Sequence, residues 1–578
     1  MQTSSPQSAA ASSNSDVKAA YPWLKTYPEN VDWNQTFTPE PLYEILDRAA
    51  ANGPSQVCTN FLGQTLTYSE IHALANRAAS GLQAMGVTKG TKVGLLLPNC
   101  ASFIILYFAV LKAGGTVVNY NPLYTVEELD FQVKDSETKI MVTLDLKVLF
   151  AKTEALLQSG TLDNAIVCSF PALLPGLKSF LFRTLKGREL VKPLQSAQAG
   201  KIKFFDDLVK NDGSYEPVAI DPLNDIAVLQ YTGGTTGTPK GAMLTHANLS
   251  INVKQVAVWT PTLIDGEERV LGALPFFHVF AMTTVMNFAI IKRAEIILMP
   301  RFDLKGALKL ISTKKPTVMP GVPTIFNAIM NFPAVSKYDL SSLKFCISGG
   351  APLPVEVKRG FESVAGCNLV EGYGLSETSP VATYNPIDGP IKEGSIGVPA
   401  PQTIISIRSL EDPAQEMPQG EKGEICIRGP QVMKGYWKQP DETANVFIGD
   451  YLRTGDVGYM DEDGFTFIVD RLKDIIICSG YNVYPRRIEE AIYEFPAVEE
   501  VTVVGIADEY RGEAPKAFVK LKPGESATVE ELLAFLKPKI SVIEMPSQIE
   551  FRDELPKTMI GKLSKKELRQ ESEANSQS

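Results

Sequence analysis

The chain is poor in histidine and cysteine and has no excess of basic residues. Its 578 residues include only three histidines and seven cysteines, and the cysteines lie far apart with no CxxC pair. Zinc sites and disulfide frameworks need clustered, paired ligands, so we expect reduced, mostly buried thiols, as in a cytosolic protein. Acidic residues outnumber basic ones by 66 to 56, which gives a formal net charge of −10. Because the chain has no basic excess, we expect no nucleic-acid partner.

Targeting and membrane-spanning signals are also scarce. Residues 1–16 are rich in Ser, Ala and Gln and lack the basic start and apolar core of a signal peptide, so we predict a disordered tail over residues 1–18. Residues 93–111 and 270–291 carry no formal charge if His278 is neutral, and both are long enough to span a bilayer. Proline interrupts each stretch, at Pro98 and Pro275. Each is therefore predicted to be a buried strand, a turn and a buried helix.

The rest of the composition is that of a large soluble protein, with 44% apolar and 21% charged residues. Apolar strand patterns alternate with helical patterns, at 93–97, 116–120, 139–144, 295–299 and 343–349. This order predicts an α/β fold with mostly parallel sheets. After Arg453 the pattern changes to a hairpin with its turn at Asp463-Gly464, followed by helices and strands of an α+β type. We predict a large N-terminal domain over 19–472, with a β-rich part, and a small α+β C-terminal domain over 473–578.

Residues 173–193 form a basic amphipathic segment. If they are helical, Leu177, Phe180, Leu181 and Leu185 share one face. Five positive charges accompany one negative charge at Glu189, namely Lys178, Arg183, Lys186, Arg188 and Lys192. Such a helix lies on an anionic membrane surface or is an ordinary surface helix whose basic side chains extend to water. The pattern alone leaves both interpretations open.

The segment 231–249, YTGGTTGTPKGAMLTHANL, predicts a phosphate-binding loop. Three glycines, four threonines and Lys240 fall close together after an apolar run. Glycines let backbone N–H groups approach an anion, and threonine hydroxyls and a lysine ammonium add further donors. The spacing GxxxxGK[ST] of the usual nucleotide-triphosphate loops is absent, because Gly241 follows Lys240.

This loop and seven further motifs resemble the adenylate-forming superfamily of acyl-CoA synthetases, peptide-synthetase adenylation domains and luciferases. The further motifs follow in the family's order, and they are PFFHVFA (275–281), SGGAPL (348–353), EGYGLSETSP (371–380), GEICIRGPQVMKGYW (423–437), YLRTGD (451–456), DRLKDIIICSGYNVYP (470–485) and LPKTMIGK (555–562). Residues 119–137 and the basic segment are most similar to bacterial-type long-chain fatty-acid–CoA ligases. The resemblance implies that a fatty carboxylate attacks the α-phosphorus of ATP, and that the thiol of CoA then attacks the acyl adenylate.

The resemblance also implies roles for the residues that bind ATP. The triphosphate would be held by Thr232, Gly233, Gly234, Thr235, Thr236, Gly237 and Lys240. The adenosine and the α-phosphate would contact Gly350, Ala351, Pro352, Glu371, Gly372, Tyr373, Gly374 and Ser376, with Tyr373 stacking on the base. Asp456 would accept the two ribose hydroxyls beside Arg471, and Glu377 would bind Mg²⁺. Lys562 would reach both the α-phosphate and the carboxylate, and with Glu377, His278 and Thr232 it makes up the expected catalytic set.

The same resemblance predicts a moving domain and a membrane location. Lys473 would be the hinge, and Gly480 and Tyr481 would line the channel for CoA. His278 would control entry of the carboxylate, whereas His72 and His246 are expected to be structural. The family usually has Thr in place of Ser376 and Arg in place of Lys565, and we expect little effect from either difference. The resemblance implies cytoplasmic enzymes that associate with the inner face of the membrane, and it leaves the basic segment open to either interpretation. Homodimers are common in the family, but the sequence shows no interface.

Three alternatives remain open at this point. The acid could be medium-chain or aryl, because motifs do not size the acyl pocket. The adenylate could be passed to a carrier protein, although the insertion typical of such relatives is not evident after Arg471. The chain could also be a nucleotide-regulated binding protein without catalytic activity, but the presence of Glu377, Asp456 and Lys562 argues against that.

Overall fold

The structure is a computed structural model that describes residues 21–232, 239–387, 389–558 and 561–576. The predicted tail over 1–18 lies outside the described residues. The described part forms an α/β fold with four sheets, two of them mostly parallel and covered by helices. The predicted fold class is therefore confirmed, with a large N-terminal part and a smaller α+β part at the C-terminal end.

The largest sheet has nine strands, and its central six are parallel. In spatial order its strands are Val398–Pro399, Val381–Tyr384, Asn368–Gly374, Phe345–Ser348, Val318–Gly321, Arg269–Gly272, Glu295–Leu298, Val57–Phe61 and Gln64–Thr67. A second sheet of seven strands is parallel apart from its last pair. Its strands are Ile202–Phe204, Asn164–Cys168, Ile140–Leu144, Lys92–Leu95, Thr116–Asn119, Ile226–Thr232 and Lys240–Thr245. Most strands of both sheets are buried, which explains their nearly continuous apolar sequences.

Two smaller five-stranded sheets follow. The first is antiparallel and supplies the predicted β-rich part, with strands Ile404–Arg408, Gly423–Arg428, Tyr451–Met460, Phe447–Ile448 and Thr466–Arg471. Its predicted hairpin turn is present, and Gly464 adopts φ +83° there, with the backbone of Trp23 too close to admit a side chain. The last sheet contains Tyr481–Val483, Ile476–Cys478, Gly512–Leu521, Val498–Asp508 and Gln548–Phe551.

Helices fill the connections between the strands. In the first half of the chain they are Glu44–Asn52, Tyr68–Ala84, Ala101–Lys112, Val126–Ser136, Lys147–Gln158, Gly176–Leu185, Phe205–Leu208 and His246–Val258. The second half has Val279–Ala281, continued by a π-helical turn Met282–Asn287 and Phe288–Ile291, then Leu304–Lys314, Pro323–Met330, Val355–Ala365, Pro440–Val446, Pro485–Tyr493, Val529–Leu536 and Lys565–Ser576. Short 3₁₀ turns lie at Pro22–Lys25, Phe170–Leu173, Gly187–Glu189, Pro193–Gln195, Ala199–Lys201, Val335–Lys337, Ser376–Thr378 and Leu472–Asp474. Several helices begin at a threonine cap that is paired with the residue three positions on, as at Thr67 with Glu70 and Thr245 with Asn248.

The two long apolar stretches lie in the core. Each folds as a strand, a turn and a helix, as predicted, and Ala101–Lys112 is buried along its whole length. Lys112 is 2% exposed and forms an ion pair with Asp47, which His72 also contacts at 3.1 Å. Among the described residues, no helix combines the length and the hydropathy that crossing a membrane requires. All seven cysteines are buried and free.

The basic amphipathic segment is only partly helical. Its α-helix covers Gly176–Leu185, and short 3₁₀ turns follow, so only Lys178 and Arg183 of the five basic residues lie on the helix. The expected apolar face is nonetheless present and exposed, with Leu177, Phe180, Leu181 and Leu185 exposed by 74, 63, 43 and 79%. The inner side of the helix is held by Phe182, whose ring lies 4.9 Å from that of Phe170.

Candidate active site

The candidate site lies at the carboxyl ends of parallel strands in the nine-stranded sheet. Gly321, Ser348 and Glu371 are paired neighbours at this edge. The motif SGGAPL leaves the sheet after the strand Phe345–Ser348, and YGLSE continues the strand Asn368–Gly374. Loops at such an edge are the usual place for ligands in α/β proteins, because adjacent strands present their loops on the same side.

Asp456 is the centre of a polar cluster whose three residues lie on three different strands. The residue is 4% exposed, and one oxygen of its carboxylate accepts a hydrogen bond from the hydroxyl of Tyr373 at 2.6 Å. Nε of Arg471 donates to the other oxygen at 2.8 Å. Asp456 and Arg471 are directly paired across the hairpin that links their strands. Each carboxylate oxygen keeps a second lone pair that is able to accept a ligand hydroxyl.

Lys562 reaches this cluster from the last part of the chain. Its side chain lies against Gly350, so that a methyl group on Gly350 would stand 2.7 Å from Cε and 3.1 Å from Nζ of the lysine. Gly350 also has φ +80°, a conformation that favours glycine. The hydroxyl of Thr324 holds the loop before the lysine by donating to the carbonyl of Gly561 at 2.6 Å. Burial and the nearby Arg471 guanidinium lower the pKa of Lys562 to about 8, although Asp456 acts in the opposite direction.

His278 stands at the start of the helical stretch 279–291. Its Nδ1 accepts a hydrogen bond from the backbone N–H of Phe280 at 3.3 Å, which caps the helix. Burial, with a smaller effect of Lys562, lowers the pKa of His278 to about 3. The ring is therefore neutral near pH 7 and does not act as a cation. The effect on its pKa indicates that the ring lies near Lys562.

Part of the predicted phosphate-binding loop lies outside the described residues. Thr232 and Lys240 are paired across the two strands that enclose the loop. Gly233, Gly234, Thr235, Thr236 and Gly237 lie outside the described residues. Lys240 forms an ion pair with Glu442, and its Nζ lies 5.4 Å from the centre of the Tyr436 ring. The hydroxyl of Tyr436 in turn donates to Oε1 of Glu377 at 2.7 Å.

Glu377 lies in a short turn, Ser376–Thr378, and is half-buried. Its backbone carbonyl accepts a hydrogen bond from the N–H of Met433 at 2.8 Å. Within the described residues, no cluster of three or more acidic, histidine or cysteine ligands could hold a metal. A single carboxylate such as that of Glu377 fits Mg²⁺, because this ion keeps several waters and binds one or two carboxylates together with phosphate oxygens.

The remaining predicted nucleotide residues lie around the same strand ends. Gly350 and Pro352 are exposed and Ala351 is half-buried, so the SGGAPL turn has an open side. Gly372, Gly374 and Ser376 are half-buried. Glu371 is different, because it is 7% exposed and its Oε1 accepts a hydrogen bond from the backbone N–H of Leu353 at 3.1 Å. Burial raises the pKa of Glu371 to about 7 despite the nearby Arg486.

A small apolar cavity of about 20 Å³ lies along the helical stretch that His278 caps. Its wall includes Thr284 and Phe288 from the helical stretch that His278 caps. The opposite walls come from the helix His246–Val258 and its end, and from the strand Phe345–Ser348, with Val256, Trp259, Phe345 and Ile347 among the lining residues. The ring of Trp259 is stacked 5.0 Å from that of Tyr384, which closes one side.

The residues predicted for the hinge and the CoA channel are not gathered with Lys562. Lys473 is exposed in the turn Leu472–Asp474, and its carbonyl accepts from Arg569 at 3.4 Å. Gly480 lies in a tight hairpin with φ +82° and open space around it. Tyr481, next in the chain, is 67% exposed. The hairpin therefore faces outward in this conformation.

Several residues of the site were not predicted from the sequence. Tyr436 lies within a quoted motif, yet the motif did not reveal that its hydroxyl contacts Glu377. Glu442 has no motif signal at all and is identified only by its ion pair with Lys240. Lys565, which was expected to be peripheral, forms an ion pair with Glu489 at 2.8 Å. His246 is buried and accepts from the N–H of Leu42 at 3.0 Å, in keeping with a structural role.

Family models and known proteins match most of the chain. The model of the AMP-binding enzyme family matches residues 46–437, and that of the AMP-binding enzyme C-terminal domain matches residues 487–562. A long-chain-fatty-acid–CoA ligase of Bacillus subtilis (strain 168) is 46% identical over 97% of this chain and 99% of its own length. A long-chain-fatty-acid–CoA ligase of Yersinia pestis is 38% identical over 95% and 98%. The crystal structure of ATP-bound MatB from Rhodopseudomonas palustris superposes with a TM-score of 0.79 at 28% identity, covering 92% of this chain and 98% of that one.

Proposed function

The chain belongs to the AMP-binding enzyme family, and from this premise we propose that it is an AMP-forming long-chain fatty-acid–CoA ligase. A fatty acid and ATP would give an acyl adenylate and pyrophosphate, and CoA would then give acyl-CoA and AMP. The relatives of near full-length coverage support this substrate class. ATP and CoA are the co-substrates of such ligases.

The observation that carries the proposal is the position of Lys562. The lysine lies on Gly350, close enough to Asp456, Arg471 and His278 for electrostatic effects on its pKa and on that of His278. An ammonium group there lies near both the polar cluster around Asp456 and the ring of His278. It would attract the α-phosphate and the carboxylate together, which favours in-line attack by removing their mutual repulsion.

The other residues would bind and orient the nucleotide. Asp456 would accept the ribose hydroxyls through its free lone pairs, while Tyr373 and Arg471 keep the carboxylate in place. Thr232 and Lys240 would hold phosphate oxygens together with the loop between them. Lys240 would then exchange its partner Glu442 for phosphate. Glu377 would hold Mg²⁺, which supplies charge neutralisation on the phosphates.

The acyl chain would enter at the apolar cavity, which would have to widen along the helix to hold a long chain. The cavity begins along the helix capped by His278, so a carboxylate held near Lys562 would have its chain directed between Phe288, Trp259 and Phe345. Neutral His278 would stand at the entrance without attracting the carboxylate away from Lys562. An alkyl chain gains about 0.8 kcal/mol for each buried CH₂ group, so this lining favours long apolar acids.

The second half-reaction would need a different arrangement. In this conformation Lys562 occupies the site, and the hairpin with Gly480 and Tyr481 faces outward. We place the hinge at Lys473, in the turn after the strand Thr466–Arg471, and infer that residues 473–578 rotate as a unit. The rotation would withdraw Lys562 and bring the hairpin to the channel for CoA. Rotation about a turn at the end of an element is ordinary domain motion.

We also propose that the surface around Gly176–Leu185 binds an anionic membrane. Leu177, Phe180 and Leu185 are each more than 60% exposed, and five basic residues lie in or after this helix. Apolar side chains beside basic ones suit the interface of a bilayer that contains anionic lipid. The fatty acid would be taken from this surface. Formation of a homodimer stays a prediction.

The membrane proposal is tested with vesicles of phosphatidylcholine and phosphatidylglycerol. We expect replacement of Lys178, Arg183, Lys186, Arg188 and Lys192 by Gln to reduce co-sedimentation with the vesicles. The matched control removes five exposed basic residues elsewhere and should leave binding unchanged; they are Arg301, Lys305, Lys309, Lys337 and Lys537. If the two variants bind the vesicles equally, the segment is an ordinary surface and the membrane proposal is refuted.

The catalytic proposal is tested by product mass spectrometry. The protein is incubated with ATP, Mg²⁺, CoA and a mixture of short, medium, long and aromatic acids. We expect mainly C14–C18 acyl-CoA. Aromatic or medium-chain thioesters would keep the mechanism and change the substrate, whereas adenylates without thioesters would favour transfer to a carrier protein. The absence of any product would refute the assignment as a ligase.

A further inference from the structure

A buried hydrogen bond joins the helical stretch that lines the apolar cavity to the loop that carries Glu377. The hydroxyl of Thr283 donates to the backbone carbonyl of Ser379 at 2.7 Å. Both residues are completely buried. The bond connects segments 96 residues apart in the chain. No motif in the sequence pointed to Thr283.

On the cavity side, Thr283 belongs to the helical stretch that lines the proposed acyl pocket. Its neighbour Thr284 and Phe288, farther along, form part of the cavity wall. This stretch contains a π-helical turn, Met282–Asn287. Turns of this kind interrupt the regular ladder of backbone hydrogen bonds and occur often at functional sites. A chain entering the cavity would press on the same helix that presents the Thr283 hydroxyl.

On the nucleotide side, Ser379 ends the turn that contains Ser376 and Glu377. The Ser379 hydroxyl donates to the carbonyl of Gln431 at 2.8 Å, and the Thr378 hydroxyl bonds back within the turn. The Glu377 carboxylate is held by Tyr436. The loop is thus tied to the β-rich part on one side and to the cavity helix, through Thr283, on the other.

We propose that Thr283 is a positioning residue that couples occupancy of the acyl cavity to the placement of Ser376 and Glu377 around ATP. An acid in the cavity would set the helix, and the Thr283–Ser379 bond would transmit that position to the nucleotide loop. The two ligands would then bind with positive cooperativity. The proposal rests on the proposed function, because it takes the cavity as the acyl site and the loop as part of the ATP site.

Cooperativity of this kind is a coupling free energy, so it is measured as a ratio of affinities. Isothermal titration calorimetry gives the dissociation constant of α,β-methylene-ATP with Mg²⁺, in the absence and in the presence of saturating myristate. The analogue does not release pyrophosphate, so no adenylate forms. For the wild type we expect myristate to tighten nucleotide binding by a factor on the order of 5–150.

The decisive variant is Thr283→Val, which keeps the shape of the side chain and removes the donor. We expect its coupling factor to fall to about one, whereas Thr283→Ser, which keeps a hydroxyl, should restore most of the coupling. Thr143→Val is the matched control, since Thr143 is a fully buried threonine in the other large sheet whose hydroxyl has no partner in the described structure. Its coupling should equal that of the wild type. If Thr283→Val does not fold, Thr283→Ala removes the same donor.

Two results would overturn the inference. One is unchanged coupling in the variant that lacks the hydroxyl, and the other is the absence of coupling in the wild type. Formation of myristoyl-CoA is measured on the same wild-type preparation. If no thioester forms, the proposed function fails and this inference fails with it. If the thioester forms while coupling is independent of Thr283, only the inference fails.

Discussion

Replacement of Lys562 by Ala should separate the two half-reactions. The ammonium group lies on Gly350 and is near enough to Arg471 for the guanidinium to lower its pKa, so it occupies the place where the α-phosphate and the carboxylate would meet. Its loss should therefore slow adenylation and leave the thioester step largely intact, because the domain rotation proposed above would remove Lys562 before CoA reacts.

The size of the effect follows from the loss of one donor that acts in the transition state. Such losses typically reduce kcat by about 10²–10³, or about 2.7–4 kcal/mol. The half-buried position of Lys562 favours the upper part of this range, because low local dielectric strengthens the interaction of a cation with two anions. The hydroxyl of Thr324 continues to hold the backbone of Gly561, so the loop should keep its conformation in the variant.

Adenylation is measured by the exchange of labelled pyrophosphate into ATP in the presence of myristate, and the second step by thioester formation from synthetic myristoyl adenylate and CoA. Lys566→Ala is the matched control, since Lys566 is exposed and lies four residues farther along the same segment. We expect it to behave as the wild type in both assays. Equal damage to both steps by Lys562→Ala would refute the role assigned to the lysine.

Three further predictions concern the same site. Gly350→Ala should lower pyrophosphate exchange at least tenfold, because its methyl group would stand 2.7 Å from Cε of Lys562 in a backbone conformation of φ +80°; exchange at the wild-type rate would contradict this. The pH profile of kcat/KM for adenylation should be flat below pH 8 and fall above it, because the required cation loses its proton near its pKa of about 8. Any residual activity of Lys562→Arg should lack this fall, since a guanidinium stays charged. Glu371→Gln should raise the melting temperature at pH 8 but not at pH 4. Burial raises the pKa of Glu371 from 4.5 to about 7, so between these pH values the folded protein holds a proton that the unfolded chain has released, and stability falls with rising pH by up to about 3 kcal/mol. The same gain at both pH values would contradict that cause.

Much of the fold was predictable because its signals are local. Apolar runs bounded by glycine and proline predicted the buried strands at 93–97 and 116–120, and the structure has Lys92–Leu95 and Thr116–Asn119 there. The turn at Asp463-Gly464 was predicted for the same reason. The amphipathic segment was predicted less well, because residues 173–193 were considered as one helix, whereas the α-helix covers only Gly176–Leu185 and a short turn follows at Gly187.

The chemistry of individual site residues was also readable from motifs, whereas the contacts between them were not. Lys562 was singled out by its motif, and the structure then placed it on Gly350. Tyr436 was part of a quoted motif without a role. Glu442 and Thr283 carried no signal, because an isolated glutamate on a surface helix or a threonine in an apolar helix is common in any protein.

The sequence by itself determined the family, the alternation of strands and helices and the types of residue available for binding anions. These properties depend on neighbours along the chain and on local periodicity. Only the tertiary structure decided that Lys240 meets Glu442, that Tyr436 meets Glu377 and that Thr283 meets Ser379, across 202, 59 and 96 residues of sequence. Such pairs depend on how buried sheets and helices pack, and the free energy that selects one packing is summed over the whole core.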